Sequence, residues 1–335
     1  MPGPARRAGR APLTDAVYVT YPLPGPGLDM LGERFLVRVH ESETKPTADE
    51  IAAAAAGCAG IIPLVRDVID ADLMDRLPGL LAIANYGVGY DNIEVEAATD
   101  RGILVTNTPD VLTDATADLT FALLLAAARR LGEGEAMVRA GEFQGWSPTM
   151  LVGADLAGAT LGLLGFGRIA AAVGRRARGF GMQLLHTARH DHAEAEALGS
   201  RRVELDELLA TSDFVSLHLP LTDETRHLID AEALKKMQPT AYLINTARGP
   251  IVDEAALGEA LATGVIAGAG LDVYEREPEV HASLLTLKNV VLLPHLGSAS
   301  VGAREGMSRL AAANLIAALS GERPPNLLNP EALRE

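Results

Sequence analysis

Residues 160–170 read TLGLLGFGRIA. The run Leu161-Gly162-Leu163-Leu164 is short and apolar, the pattern of a strand buried on both faces of a sheet. Gly165-Phe166-Gly167-Arg168-Ile169-Ala170 follows at once and fits the G-x-G-x-x-G/A fingerprint, with alanine in the third place. Gly165 permits a tight strand-to-helix turn, Gly167 lets a pyrophosphate approach bare backbone, and Ala170 lets the helix pack closely on the strand. The helix expected over 169–180 aims its N–H groups at the phosphates. In an Ala/Gly-rich chain the hexapeptide alone is a weak signal. Set between a buried strand and a helix, it reads as a dinucleotide site.

Outward from this turn the chain alternates strand and helix patterns. Before it, 16–21, 35–39, 60–63, 81–85 and 103–106 read as short buried strands, with helices over 48–56, 71–77 and 93–101. After it, 183–187, 214–217, 241–245, 267–271 and 290–293 read as strands of a second sheet. Helices are expected over 205–210 and 254–263, the latter closed by Gly264. Such alternation builds parallel sheets covered by helices. The expected class is therefore α/β, two doubly wound parallel-sheet domains with a cleft between them. Residues 114–130, with Leu119, Phe121, Leu123, Leu124 and Leu125, read as a helix apolar on nearly every face, buried between the domains. The last helix, 302–320, is too apolar to stand alone. It is expected to return to the first domain, giving 13–109 plus 299–335 as one domain and 110–298 as the other, after a flexible tail over 1–12.

Composition narrows the function classes. A chain of 335 residues can bury two cores. With 48% hydrophobic but only 4% aromatic residues, those cores are aliphatic. The net charge of −15 argues against nucleic acid or an anionic membrane as partner, although solubility alone also accounts for it. No run approaches the ~20 apolar residues of a membrane helix. Arg6, Arg7 and Arg10 precede no apolar h-region, so no secretory signal is read. The one cysteine, Cys58, sits among Ala and Gly without an activating base and reads as a structural thiol in a reducing cytoplasm.

Candidate chemistry lies in the loops after the strands, where α/β sheets place their ligands. Asn245-Thr246-Ala247-Arg248-Gly249 offers an arginine, the side chain that grips a carboxylate in bidentate fashion. Asp272-Val273-Tyr274-Glu275-Arg276-Glu277-Pro278 and Pro294-His295-Leu296-Gly297-Ser298 follow the next two strands. An Arg, a Glu and a His on one rim make an anion clamp and a carboxylate-backed proton donor. Singly, Arg248 reads equally well as a surface ion pair, Glu277 as a solvated acid and His295 as a core residue. Their shared position after successive strands favours chemistry. His186, His190 and His192 straddle a strand end with no accompanying ligand pattern, so no metal is expected.

The strings NYGVGYDNI, TNTPDVLTDATADLTFALLLAAARR, GWSP, LGLLGFGRIA, DFVSLHLPLTDETRHLI, LINTARGPIVDEAAL, GLDVYEREP and LPHLGSAS resemble the D-isomer-specific 2-hydroxyacid dehydrogenase family. The resemblance runs from about Gly60 to Asn329, and within the family it is greatest to glyoxylate/hydroxypyruvate reductases. It implies a flavodoxin-like substrate domain beside a Rossmann dinucleotide domain, and reduction of a small 2-keto acid in the cytoplasm. It implies Arg248, Glu277 and His295 as the catalytic set. Arg248 binds the carboxylate, and His295 is held protonated by Glu277 to donate to the keto oxygen. Val88 and Gly89 capture the substrate carboxylate through backbone. Cofactor contacts are implied at Arg168, Ile169, Thr116, Pro220, Thr246, Asp272 and Ser298, beside Gly165 and Gly167. Residues 139–148, with Trp146, resemble the family's dimerisation arm and imply a homodimer; the plainer reading is a packed loop. Arg66 stands where small-substrate reductases often carry a smaller residue; a salt bridge to Asp67 or Asp70 explains it equally well. Transcriptional corepressors share this fold and triad, so a dinucleotide-sensing interaction protein is the alternative class, disfavoured by the lack of an added interaction segment. Formate dehydrogenase has Gln where Glu277 stands. A chain ending at Glu335 leaves a phosphoglycerate-dehydrogenase-like enzyme only without its regulatory domain.

Cofactor choice is read at the end of 183–187. Proteins that select NAD place an acid ~20 residues past the glycines, where it accepts from the ribose hydroxyls and repels a 2′-phosphate. Here that place holds Ala188, followed by Arg189, and the next acid is Asp191. Arg189, helped by His190 or His192, suits a phosphate, so NADP(H) is expected over NAD(H).

Overall fold

Strands apolar on both faces are satisfied only in a parallel sheet covered from both sides, and the chain builds two of these. The computed structural model describes residues 15–333, so the tail expected over 1–12 lies outside them. The fold divides into two units, one made of residues up to Val111 and again from Val301, the other of Leu112–Ser300.

The first unit runs β1 (Ala16–Val19), α1 (Gly27–Gly32), β2 (Leu36–Val39), α2 (Ala48–Ala54), β3 (Cys58–Ile62), α3 (Ala71–Asp75), β4 (Ala82–Ala84), α4 (Val95–Asp100) and β5 (Leu104–Thr106). Its five parallel strands lie in the order β2-β1-β3-β4-β5, the flavodoxin-like order. Tyr18, Ile51, Ile61, Leu73, Met74, Ile83 and Val105 form its core. Thr47 and Glu50 close a capping box on α2, and Asp70 caps α3. The three expected helices run shorter than expected, α4 covering 95–100 of the 93–101 expected. After α2 the chain turns at Gly57, and after α3 Leu77 precedes Pro78, which disfavours helix.

The second unit opens with α5 (Thr113–Ala128) and α6 (Leu131–Arg139). It continues β6 (Thr160–Leu164), α7 (Arg168–Gly179), β7 (Gln183–Thr187), α8 (Ala193–Ala197), β8 (Arg201–Arg202), α9 (Leu205–Thr211), β9 (Phe214–Leu217) and α10 (Ala231–Lys236). It closes with β10 (Tyr242–Asn245), α11 (Glu254–Thr263), β11 (Gly268–Leu271), α12 (Ala282–Leu285) and β12 (Val290–Leu292). Seven parallel strands lie in the order β12-β11-β10-β9-β6-β7-β8, so the direction of winding reverses between β6 and β9. That reversal is the topological switch point at which such sheets bind ligands. Gly264 ends α11 in the left-handed conformation, as its sequence position suggests. The edge strand β8 and the short helices α1, α8, α10 and α12 were not legible, because two to six residues carry no measurable period. Helix α5 is less apolar than its composition suggests: Asp114 and Asp118 are exposed and both pair with Arg176 of α7, at 3.2 and 2.6 Å.

The chain then returns to the first unit as α13 (Val301–Leu319), which packs on α1, β3, β4 and β5 with Ala303, Met307, Ala311, Ala312 and Leu315 buried. Among the described residues no helix is long and apolar enough to cross a membrane.

Candidate active site

At the carboxyl end of β6, Gly165 has φ +88°, and a Cβ there would meet the His218 carbonyl oxygen at 2.9 Å. Its N–H donates to Thr187 Oγ1 at 3.1 Å, which ties the glycine turn to the end of β7. Gly167 is the N-cap of α7, and no side chain caps that helix. A Cβ at Gly167 would meet nothing within 4 Å, so bare backbone and a helix N-terminus face an open approach. These residues fit a dinucleotide pyrophosphate. Arg168 is exposed beside them and Ile169 is half-buried.

The other predicted cofactor residues stand at neighbouring strand ends of the same sheet. Thr246, after β10, shares a 2.8 Å hydroxyl hydrogen bond with Thr120 of α5, whose Oγ1 also donates to the Thr116 carbonyl. Thr116 lies next to Gly297, since a Cβ there would come within 3.5 Å of its side chain. Pro220 is exposed after β9 and accepts from Thr225 Oγ1. Ser298 follows the His295 turn, and Arg189 is exposed just past β7.

Three loops after β10, β11 and β12 hold the predicted catalytic set. Asn245 shapes the first, donating to the Arg248 carbonyl at 2.9 Å and accepting from Ala247 N at 3.0 Å. Gly249 then packs flat on the second loop: a Cβ would overlap the Tyr274 carbonyl and press on Glu275 N. The second loop is braced from behind by a reciprocal pair. Glu275 accepts from Glu254 N, while the buried Glu254 accepts from the N–H groups of Glu275 and His281. At its end, Glu277 Oε2 meets His295 Nδ1 at 2.8 Å and Oε1 accepts from Tyr274 N.

His295 itself sits at φ +56°, a left-handed backbone uncommon outside glycine. Asp272 braces it. Its carbonyl accepts from His295 N at 2.8 Å, and its carboxylate accepts from the N–H groups of Leu296 and Gly297 at 2.6 and 2.7 Å. Burial pushes the Asp272 carboxyl up, against those donors and the nearby His295. Burial also pushes Glu277 up, but the hydrogen bond and charge of His295, the Tyr274 N–H and the Arg248 charge outweigh it. Glu277 therefore stays below the usual carboxylate range. Arg248, Glu277 and His295 thus form one electrostatic cluster, with Asp272 as the anchor of its histidine.

In the first unit, Val88 and Gly89 lie on the loop after β4, and side chains hold their carbonyls: Asn107 donates to Val88 O at 2.8 Å and Asn85 to Gly89 O at 2.7 Å. Asn92 donates in turn to Asn85 Oδ1 and to the carbonyls of Leu64 and Asp67. The asparagines of NYGVGYDNI were the signal for this network, which sequence reasoning passed over. Arg66 forms neither expected salt bridge. Asp67 is buried and accepts from Thr20 Oγ1 and Leu64 N, and Asp70 is occupied in capping α3. The Arg66 guanidinium lies over the Tyr21 ring at 5.4 Å and donates to Glu43 O instead.

His186 hydrogen-bonds Ser200 and packs on Phe166, and among the described residues no cluster of three or more His, Cys, Asp or Glu is arranged to hold a metal. The stretch 139–148 is not a packed loop: Trp146 is 80% exposed and Phe143 50%.

Residues 121–297 match the family model described as D-isomer specific 2-hydroxyacid dehydrogenase, NAD binding domain. A glyoxylate reductase from Thermococcus onnurineus is 50% identical over 322 residues, 95% of this chain and 96% of that one. The solved glyoxylate reductase from Paecilomyes thermophila superposes with a TM-score of 0.85 at 33% identity, covering 96% of this chain and 99% of that one. An NADPH-dependent glyoxylate/hydroxypyruvate reductase from Sinorhizobium meliloti, solved with NADP and malonate, gives 0.86 at 38% identity over 96% of this chain and 98% of that one.

Proposed function

The chain belongs to the D-isomer specific 2-hydroxyacid dehydrogenase family and is an NAD(P)-dependent oxidoreductase acting on CH–OH groups; from that premise we propose that it reduces a small 2-keto acid of the glyoxylate or hydroxypyruvate kind, with NADPH as the preferred donor. The observation that carries the reading is the 2.8 Å Glu277–His295 pair within the electrostatic reach of Arg248. The nicotinamide, when bound, supplies the hydride that the keto carbon accepts. Arg248 grips the substrate carboxylate and polarises the adjoining carbonyl. His295, its Nδ1 engaged by Glu277, gives a proton from Nε2 to the oxygen as negative charge grows there. In the first unit the Val88 and Gly89 amides, whose carbonyls are held by Asn107 and Asn85, suit a carboxylate. The reading is tested by turnover of glyoxylate, hydroxypyruvate and pyruvate with each cofactor. Cofactor binding without turnover of any keto acid defeats it in favour of a dinucleotide-sensing interaction protein.

NADP(H) preference rests on Ala188, one residue past the Thr187 that binds the glycine turn. An acid placed there would accept from the ribose and repel a 2′-phosphate. Charge-assisted contacts contribute about 1.5–3 kcal/mol, or one to two decades of affinity. Ala188→Asp is therefore expected to lower the NADPH/NADH ratio of kcat/KM by about ten- to a hundredfold. A native ratio below one, or no fall in the variant, counts against the preference.

We assign the exposed apolar side chains Leu131 and Val138 of α6, with Phe143 and Trp146, to contact with a second copy of the chain. Light scattering at micromolar concentration is expected to give a dimer, and Val138→Ser with Trp146→Ser to weaken it. A native monomer sinks the assignment. A reducing cytoplasm suits Cys58, which is free and buried, its thiol pushed up by burial against the nearby Arg38 charge.

A further inference from the structure

We infer that Arg202, on the edge strand β8, is a determinant of NADP(H) over NAD(H): it binds the 2′-phosphate in exchange for its present partner, Asp191. The inference rests on the NADP(H) reading above and adds to it a residue outside the β7 loop on which that reading was built.

Strand β8 lies parallel to β7 with Arg202 opposite His186, and Val203 N donates to His186 O at 2.9 Å. The loop leaving β7 folds back over the fingerprint. Phe166, between the two glycines, has the His186 ring at 4.8 Å and the His192 ring at 5.5 Å. The preceding residue, Asp191, lies in this same loop. Its Oδ1 accepts from Arg202 Nη1 at 2.7 Å. Within Ala188-Arg189-His190-Asp191-His192 that carboxylate is the only acid, and Arg202 occupies it. The neighbouring Arg201 is engaged elsewhere, with Glu207 at 2.6 Å.

The pair is built to be exchanged. Its Asp191 side chain is 93% exposed and its Arg202 side chain 44%, and ion pairs in that setting are weak. A guanidinium binds phosphate through the same parallel N–H···O geometry as carboxylate, and the phosphate carries the larger charge. The 2′-phosphate thus displaces Asp191 from Arg202, and Arg189 approaches it from the loop. With NAD(H) the swap does not occur, because a ribose hydroxyl does not displace a carboxylate from its arginine.

The test measures kcat/KM for NADPH and NADH with one keto acid, and inhibition by adenosine 2′,5′-bisphosphate against 5′-AMP. Arg202→Gln is expected to lower the NADPH/NADH ratio about tenfold. It should weaken the bisphosphate to the same degree and leave 5′-AMP unchanged. Asp191→Asn is expected to improve NADPH binding about threefold, a gain that misfolding cannot produce. That gain should shrink in the double variant, because part of it passes through Arg202. An unchanged ratio in Arg202→Gln, alongside a fall in Arg189→Gln, overturns the role of Arg202 and leaves the NADP(H) reading standing. A full Asp191→Asn gain in the Arg202→Gln background also overturns the exchange. A native ratio below one overturns both.

Discussion

His295→Ala is expected to lower kcat by about 10²–10⁴-fold, the range contributed by a positioned general acid, while NADPH binding measured by fluorescence titration stays within about twofold of native. The separation follows from the geometry: the fingerprint backbone leaves β6, whereas His295 leaves β12 and is fixed by Asp272. A loss of both together would mean that the turn carries cofactor binding and not proton transfer. Glu277→Gln keeps a hydrogen-bond partner for the imidazole but removes the negative charge beside it. Proton donation then loses its charge-assisted support, so kcat is expected to fall while KM for NADPH stays near native. An unchanged kcat overturns the pairing. Stability responds to the same carboxylate. Glu277 stays below the usual carboxylate range in the fold, despite the upward push of burial. Its contribution is therefore full above the ordinary carboxylate pKa and disappears as pH falls through the depressed value.

Gly249→Ala is the second large effect. A Cβ at this position would overlap the Tyr274 carbonyl, which is backbone and has no rotamer by which to yield. Overpacking of this kind costs about 1–3 kcal/mol, so the thermal midpoint is expected to fall. The sharper consequence is chemical. The Arg248 loop and the Glu277 loop touch here, and relieving the overlap moves one away from the other. A displacement near 1 Å costs about 10²-fold in rate. A variant with lowered midpoint but native kcat/KM would show that the Arg248 and Glu277 loops need no such closeness. The reciprocal Glu254–Glu275 pair braces the far side of the same loop, so little slack is available to absorb the shift.

Much of this was legible along the chain because it is local chemistry. A buried apolar strand, a G-x-G-x-x-A turn and a helix are neighbours in sequence, and the physical demands on each position act within a dozen residues. The same holds for the Gly264 cap and for the absence of an acid at Ala188. The strand ends that carry Arg248, Glu277 and His295 were legible too, since strand alternation alone puts them on one rim. Sheet order decided the rest. The Glu277–His295 pair spans 18 residues of chain, the Thr120–Thr246 bond spans 126, and neither follows from spacing. The need for glycine at 249 appears only when Tyr274 is laid against it. Arg66 looked like one half of a salt bridge with its sequence neighbours, but Asp67 turns inward to satisfy Thr20 and Leu64 N–H. Arg202 sits on a two-residue strand with no period to read, and its meaning depends on pairing with β7. Local preference acts through the few dihedrals that a residue and its neighbours share, whereas ion pairs and close approaches depend on which distant strand lies alongside.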